Sequence, residues 1–342
     1  MTCSVIVRTK DEADRLRLTL TSLRCQSQSA QVVVVNDGSS DHTSQVLSEF
    51  SGVMPLLSIT HQESKGRSAA SNAGAQVSDG DLLIFLDGDT LAGPDFVARH
   101  DAAHLAKPKL IGRGETFHLR STRFLQDPET ALPRYGEERR LESMPTAERE
   151  GLKITREEIQ TDFASIHRRA TPGVYPGAGP RALYEIEISA LKNNPDCFVL
   201  WAAASGANFS VSRAAFMASG GFDNDMVINE HRELALRLCN DGGQMGFVEG
   251  AHSYHMTHRS GWRDPLQETS WELVFYRRHP VLAVKLLSVL WASLSSNCPI
   301  PPHLRMLSLT ELENATRGDS NIDCDAIRSL IPGLVRLDET SV

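Results

Sequence analysis

The sequence predicts an α/β chain built on an open, largely parallel sheet flanked by helices. Two observations carry that expectation. Over residues 1–115, short β-branched runs alternate with amphipathic stretches, and each run ends at a polar loop. Size fits a globular chain, since 342 residues with 41% hydrophobic and 23% charged side chains can bury a sizeable core.

Taken in order, residues 4–7 form a strand, after which Ala13, Leu16, Leu20 and Leu23 recur at helical spacing. Residues 32–35, all valine, read as a strand buried on both faces. That strand breaks at Asn36-Asp37-Gly38-Ser39-Ser40-Asp41, where Asp41 is placed to cap a helix carrying Val46, Leu47 and Phe50. Residues 82–86 form another buried strand and run straight into Asp87-Gly88-Asp89. From 116 to 190 the chain turns charged, Pro- and Gly-containing and weakly periodic, which marks an insertion suited to an acceptor-binding or lid region. Order returns with a strand at 209–211, Ser212 as an N-cap, and Gly220 and Gly221 stopping a short helix. A longer helix over 230–240 follows Asn229 as its cap, then a strand at 246–249, then a helical extension that becomes irregular. The expected organisation is thus 1–115, an insertion at 116–190, a second half at 191–260 and an extension at 261–342.

Composition narrows the function classes. A formal net charge of −8 and a pI near 5.8 argue against nucleic acid, which needs clustered Lys and Arg. The six cysteines show no CxxC spacing and read as reduced thiols of a cytoplasmic protein. Arg8, Lys10, Asp11 and Glu12 interrupt the first apolar run before a signal-peptide core forms, so secretion is not expected. Residues 281–294 are apolar but broken by Lys285 and shorter than the ~20 residues a spanning helix needs. They predict a buried helix; the alternative is an interfacial helix giving peripheral membrane contact through 277–294, at the inner face of the membrane.

The chemistry concentrates at Asp87 and Asp89. One residue apart at a strand end, they point to one side in extended chain, and two like charges so close call for a compensating divalent cation. Mg²⁺ or Mn²⁺ takes such oxygen ligands and leaves positions for substrate phosphates. Gly88 between them would let a ligand approach the backbone. Three histidines, His252, His255 and His258, recur at three-residue intervals downstream. In open α/β sheets ligands bind at the carboxyl ends of the strands, where these clusters fall.

Four segments in order resemble the inverting, GT-A-fold glycosyltransferases of family 2. They are Val5-Ile6-Val7-Arg8-Thr9-Lys10-Asp11-Glu12; Val34-Val35-Asn36-Asp37-Gly38-Ser39-Ser40-Asp41; Asn72-Ala73-Gly74 leading to Phe85-Leu86-Asp87-Gly88-Asp89; and Gly206-Ala207-Asn208-Phe209-Ser210-Val211 leading to Gly220-Gly221-Phe222-Asp223. The resemblance covers residues 1 to about 258. It implies a GT-A type sheet and a nucleotide-diphosphate sugar donor, a UDP-sugar, with Thr9 and Glu12 bordering the nucleotide and Asp37 accepting from the base. It further implies that Asp87 and Asp89 hold ribose and metal and that His255, in Gly250-Ala251-His252-Ser253-Tyr254-His255, is the third metal ligand. The same resemblance would turn Lys65 and Arg67 to the diphosphate, Arg67 replacing the family's Arg before Asn72, where this chain has Ser71; the alternative is an exposed loop cation.

The second half supplies the reactive side. Glu230 opens its helix, where the dipole favours a carboxylate, and Glu233 can pair Arg237 one turn on. In the resemblance Glu230 begins the Glu-Asp motif whose Asp deprotonates the acceptor, and here the Asp position is His231. Imidazole, with an ordinary pKa near ~6.5, can take a proton at neutral pH. The base candidates are His231, Glu230 and Glu233 in that order. Trp201, Trp262 and Trp271 are candidates for an acceptor platform, with core packing as the alternative. The acceptor's identity, whether saccharide, lipid-linked group, peptide or small molecule, stays open.

Competing readings are a retaining transferase of the same fold and an inactive nucleotide-sugar-binding module, motivated by His231. A nucleotidyltransferase would need a Gly-rich loop after the first strand, and residues 8–15 contain no Gly.

Overall fold

A computed structural model describes residues 1–172, 183–258, 265–317, 323–334 and 336–337. β1 (Cys3–Thr9), β2 (Gln31–Asp37), β3 (Leu56–His61) and β4 (Leu82–Asp87) pair in parallel in the order β3-β2-β1-β4. Their continuous apolar runs are explained by helices on both faces. On one face Val5, Val7, Val32, Val34, Ile84 and Leu86 pack with Leu16, Leu20 and Leu23 of α1 (Ala13–Arg24) and with Val46, Leu47 and Phe50 of α2 (Thr43–Phe50). On the other, α3 (Arg67–Val77) approaches so closely that a Cβ on Gly74 would lie 2.6 Å from Ile6 Cγ2.

The sheet then changes direction. β5 (Thr90–Ala92) follows β4 across a turn, and α4 (Phe96–Ala106) leads to β6 (Leu110–Leu119). β7 (Leu125–Asp127) and β8 (Leu132–Pro133) form a separate two-stranded hairpin. β9 (Thr171–Pro172) pairs with β6, and β10 (Phe209–Ser212) inserts antiparallel between β4 and β6. With β11 (Gln244–Met256) the order beyond β4 reads β10-β6-β11-β5. The result is the open α/β sheet that the sequence predicts, parallel over β1–β4 as expected but antiparallel where β10 joins β4 and β6 and where β11 joins β5.

Two compact units are distinguished. The first comprises Met1–Pro172, Gly206–Gly221 and Val248–Gly261; the second comprises Gly173–Ser205, Phe222–Phe247 and Trp262–Val342. In the first unit, insertion residues are packed: Ile154, Ile159 and Ile166 join Leu18, Leu91, Tyr254 and Met256 in one apolar cluster. Buried Arg15 fastens the β7 hairpin to α1 by donating to Leu125 O at 2.7 Å and Gln126 O at 3.1 Å.

The second unit is helical in its later part. Helix Leu282–Ser293 packs against Ser270–Arg278, Leu309–Thr316 and Cys324–Ser329, with Trp271 and Trp291 in its core. Apart from exposed Leu282, its apolar side chains are buried inside protein, which favours the buried-helix expectation over a lipid-facing one. Among the described residues no helix is long and apolar enough to cross a membrane. All six cysteines are free thiols.

The capping expectations divide. Ser212 caps as expected, accepting from Ala215 N. Asp41 accepts from Thr43 N at 3.0 Å but also, with its other oxygen, from Ala13 N at 2.9 Å, so it serves two helices. Asn229 occupies the N-cap position of helix Glu230–Asn240 in a left-handed conformation, yet its side chain makes no cap hydrogen bond. Its Oδ1 instead accepts from Arg232 at 2.9 Å, a charged donor outcompeting a backbone amide.

Candidate active site

Adjacent parallel strands deliver the first two loops to the same sheet edge, and side chains latch them together. Asp11, left-handed at φ 53°, accepts from Ser40 N at 2.7 Å, while Asp11 N donates to Ser39 Oγ at 2.9 Å. Strain at a non-glycine residue persists only when its surroundings impose it, and here they do.

The β4 end carries the next element. β5 pairs with β11 so that Thr90 opposes His255, and Met256 N donates to Asp89 O at 2.9 Å. That register brings Asp89, His255 and His258 together, with one ligand atom from each lying within 4.8 Å of the others. His258 Nε2 is 2.8 Å and His255 Nε2 3.5 Å from Asp89 Oδ2. Burial opposes ionisation of Asp89 most strongly, but the attraction of His255 and His258 prevails and holds its carboxyl well below the usual range. For His255 burial favours the neutral ring, yet Asp89, and more weakly Asp87, raise its pKa. His118 lies behind, its Nδ1 3.4 Å from His255 Nδ1; burial, then His255 and Arg120, depress it to about 3.

Asp87 is placed otherwise. Its Oδ1 accepts from Arg8 Nε at 2.8 Å, and it stands outside the three-ligand cluster. At Gly88 a Cβ would meet Thr9 at 2.8 Å and Arg8 O at 3.0 Å, so chain packing by itself already requires a glycine there. Thr9 is buried against it, its hydroxyl without a hydrogen-bond partner among the described residues. Asp37 has both oxygens engaged by protein, by His61 Nδ1 at 2.7 Å, Ser64 Oγ at 2.7 Å, Lys65 N at 2.8 Å and Gly66 N at 3.0 Å. Burial raises its pKa, but these donors together lower it. A carboxylate offers about four acceptor positions, and in this arrangement those of Asp37 shape the loop before α3. On that loop and the helix start, Lys65 and Arg67 are exposed. Asn72 abuts Gly221, at φ 76°, where a Cβ would lie 2.5 Å from Asn72 Oδ1.

In the second unit, Glu233 takes Arg237 Nε and an NH2 group at 2.7 Å each and His279 Nε2 at 2.8 Å. The expected one-turn pairing is present, and it lowers the Glu233 pKa against the burial that would raise it. Arg232, fully interior, donates to Ala202 O at 2.7 Å, to Glu187 Oε1 at 2.9 Å and to His231 Nε2 at 2.9 Å. A guanidinium only donates, so His231 Nε2 carries a lone pair in this arrangement. Trp201 and Trp271 are buried against Phe275, which removes them as a platform; Trp262 lies outside the described residues.

Residues 4–121 match the sequence model described as Glycosyl transferase family 2. Over these residues the chain is similar to family 2 glycosyltransferases. Over 106 residues it is 36% identical to the uncharacterized glycosyltransferase YfnE of Bacillus subtilis (strain 168), covering 30% of this chain and 27% of that protein. Over another 106-residue match it is 37% identical to the validoxylamine A glucosyltransferase of Streptomyces hygroscopicus subsp. jinggangensis (strain 5008), covering 30% and 25%. The chain thus spans under a third of the length of these curated relatives. The fold is shared with residues 1–349 of S. aureus TarS, at a TM-score of 0.51, 14% identity, 94% coverage of this chain and 74% of that one. The expected GT-A type fold is therefore met.

The donor set joins Asp89 of the matched segment to His255 and His258 from beyond it, and fits a divalent cation of mixed oxygen and nitrogen preference. Two imidazoles suit Mn²⁺ better than Mg²⁺, which favours oxygen throughout. Sequence reasoning assigned Asp87, Asp89 and His255 to the metal and noted His258 at the same three-residue spacing without assigning it. For His118, Arg232 and the second role of Glu12 beside His258, no local pattern was available.

Proposed function

We propose that this chain is a metal-dependent glycosyltransferase that moves a sugar from a nucleotide-diphosphate donor, a UDP-sugar, onto a hydroxyl-bearing acceptor. The observation that carries this reading is the convergence of His255 and His258 on Asp89 at the end of β4, Asp89 lying in the segment 4–121 that resembles family 2 glycosyltransferases. Bound by these three residues, Mn²⁺ would neutralise charge on the departing diphosphate. Arg8 holds Asp87 at the same strand end, where it is assigned to the ribose. Asp37 fixes the loop that presents Lys65 and Arg67, both assigned to the diphosphate, while Thr9, Gly88 and Asn72 shape the donor side.

On the acceptor side His231 is the first choice of base, because it keeps 15% of its side chain exposed while Glu230 and Glu233 keep 2% each. An inverting displacement follows from that assignment. One observation favours a second reading: Arg232 engages the His231 lone pair, which suits retention of configuration or donor binding without turnover.

A mass-spectrometric screen of nucleotide sugars for Mn²⁺-stimulated hydrolysis and transfer tests the proposal, with NMR of the product anomer separating inversion from retention. Absence of any metal-stimulated donor cleavage across the panel would refute the enzymatic reading.

A further inference from the structure

The cation reading places the two Nε2 atoms of His255 and His258 toward Asp89, at 3.5 and 2.8 Å from its Oδ2. Their Nδ1 atoms therefore face away, and each meets one particular residue. His255 Nδ1 is 3.4 Å from His118 Nδ1, the rings standing edge-on at 85° with centroids 5.3 Å apart. His258 Nδ1 is 3.7 Å from Glu12 Oε1.

We propose that His118 and Glu12 are positioning residues for the cation site, each fixing one histidine ligand from its far nitrogen. The inference rests on the cation reading above. A ligating imidazole is neutral and keeps its proton on the nitrogen away from the metal, so His255 Nδ1 is the donor and His118 Nδ1 accepts. His118 is itself anchored, since its backbone pairs in register with Thr171. Glu12 is anchored too: Arg15 NH1 donates to its Oε2 at 3.0 Å, and Arg134 NH2 stands 3.9 Å from its Oε1. Arg15 and Arg134 both donate to Leu125 O, so the β7–β8 hairpin braces the carboxylate that steadies His258.

The two supports differ in kind. Glu12 offers a negative acceptor, which orients His258 and makes it a stronger donor to the cation. His118 offers a neutral acceptor, which orients His255 only. Glu12, read from sequence as a border of the nucleotide, thereby gains a role toward the metal.

The test measures Mn²⁺ binding to the full chain without substrate, by the electron paramagnetic resonance signal of the free ion. His118→Asn, which keeps a side-chain oxygen near the place of Nδ1, should bind within about threefold of the parent. His118→Phe, which fills the space without an acceptor, and Glu12→Ala should each bind about 10- to 100-fold more weakly. Thermal melting in chelator, unchanged among variants, excludes misfolding as the cause. Parent-like affinity in both His118→Phe and Glu12→Ala, or equal weakening by His118→Asn and His118→Phe, overturns the inference. A parent protein that binds no Mn²⁺ overturns the cation reading itself and this inference with it.

Discussion

His258 Nε2 and Asp89 Oδ2 lie 2.8 Å apart although 169 positions separate them in the chain. The contact is made by the pairing of β11 with β5, which seats His255 opposite Thr90 and lets the chain reach His258 just beyond the strand end. Any cation chemistry here depends on that pairing.

Replacing Asp89 by Ala removes the one carboxylate of the cluster. Donor hydrolysis and transfer should fall by about 100-fold or more, and Mn²⁺ affinity with them, while circular dichroism and melting in chelator stay close to parent. Full activity of this variant in chelator would disprove the metal role.

Metal preference follows from the donor atoms. Two nitrogens and one oxygen should give higher activity with Mn²⁺ than with Mg²⁺ at equal free concentration, and dialysis against a chelator should abolish activity reversibly. Equal rates with both ions would count against His255 and His258 as ligands.

His231 and Glu233 should separate in their effects. His231→Ala is expected to lower kcat with little change in melting temperature. Glu233→Gln removes a buried charge held by Arg237 and His279 and should destabilise by about 2 kcal/mol, read as a drop in the urea midpoint. If Glu233→Gln left stability unchanged and abolished turnover, Glu233 rather than His231 would be the base.

Acid should weaken the first unit through two buried histidines. His100 bonds Ser210 Oγ and Asn208 Oδ1, at 2.8 and 2.9 Å, and His104 bonds Ser210 Oγ at 2.9 Å. Burial pushes them down to about 3 and about 4 respectively. Both pKa values are lowered in the fold, so below ~6.5 the unfolded chain binds protons that the folded chain does not, and stability falls as pH drops through that window. Each contributes about 2 kcal/mol of loss between pH 6.5 and 5. Urea titrations of His104→Asn should show a shallower pH dependence than parent; an identical slope would exclude His104 as a cause.

The legible part of the chain was the part governed by local rules. Val32–Val35 announced a strand buried on both faces, Ser212 announced a cap, and Asp87-Gly88-Asp89 announced a strand end bearing acids. Helix Glu230–Asn240 and the Glu233–Arg237 pair were equally visible, because positions four apart on a helix meet whatever lies elsewhere. Distant chain supplied what spacing could not foresee: Asp87 meets Arg8, Asp37 meets His61, the Ser64 hydroxyl and the amides of Lys65 and Gly66, and Trp201 and Trp271 pack on Phe275.

By itself, then, the sequence determined the strands at 4–7, 32–35, 82–86 and 209–211, the helix over 230–240, the polar loops at the strand ends and the family that residues 4–121 resemble, while the helices inside 116–190 were not read from it. Only the tertiary structure decided that His258 joins Asp89, that His118 and Glu12 stand behind the two histidines, and that Arg232 occupies His231. The reason is physical: periodicity and capping act over a few residues, whereas a ligand set is closed by strand register, and register is settled by packing across the whole sheet.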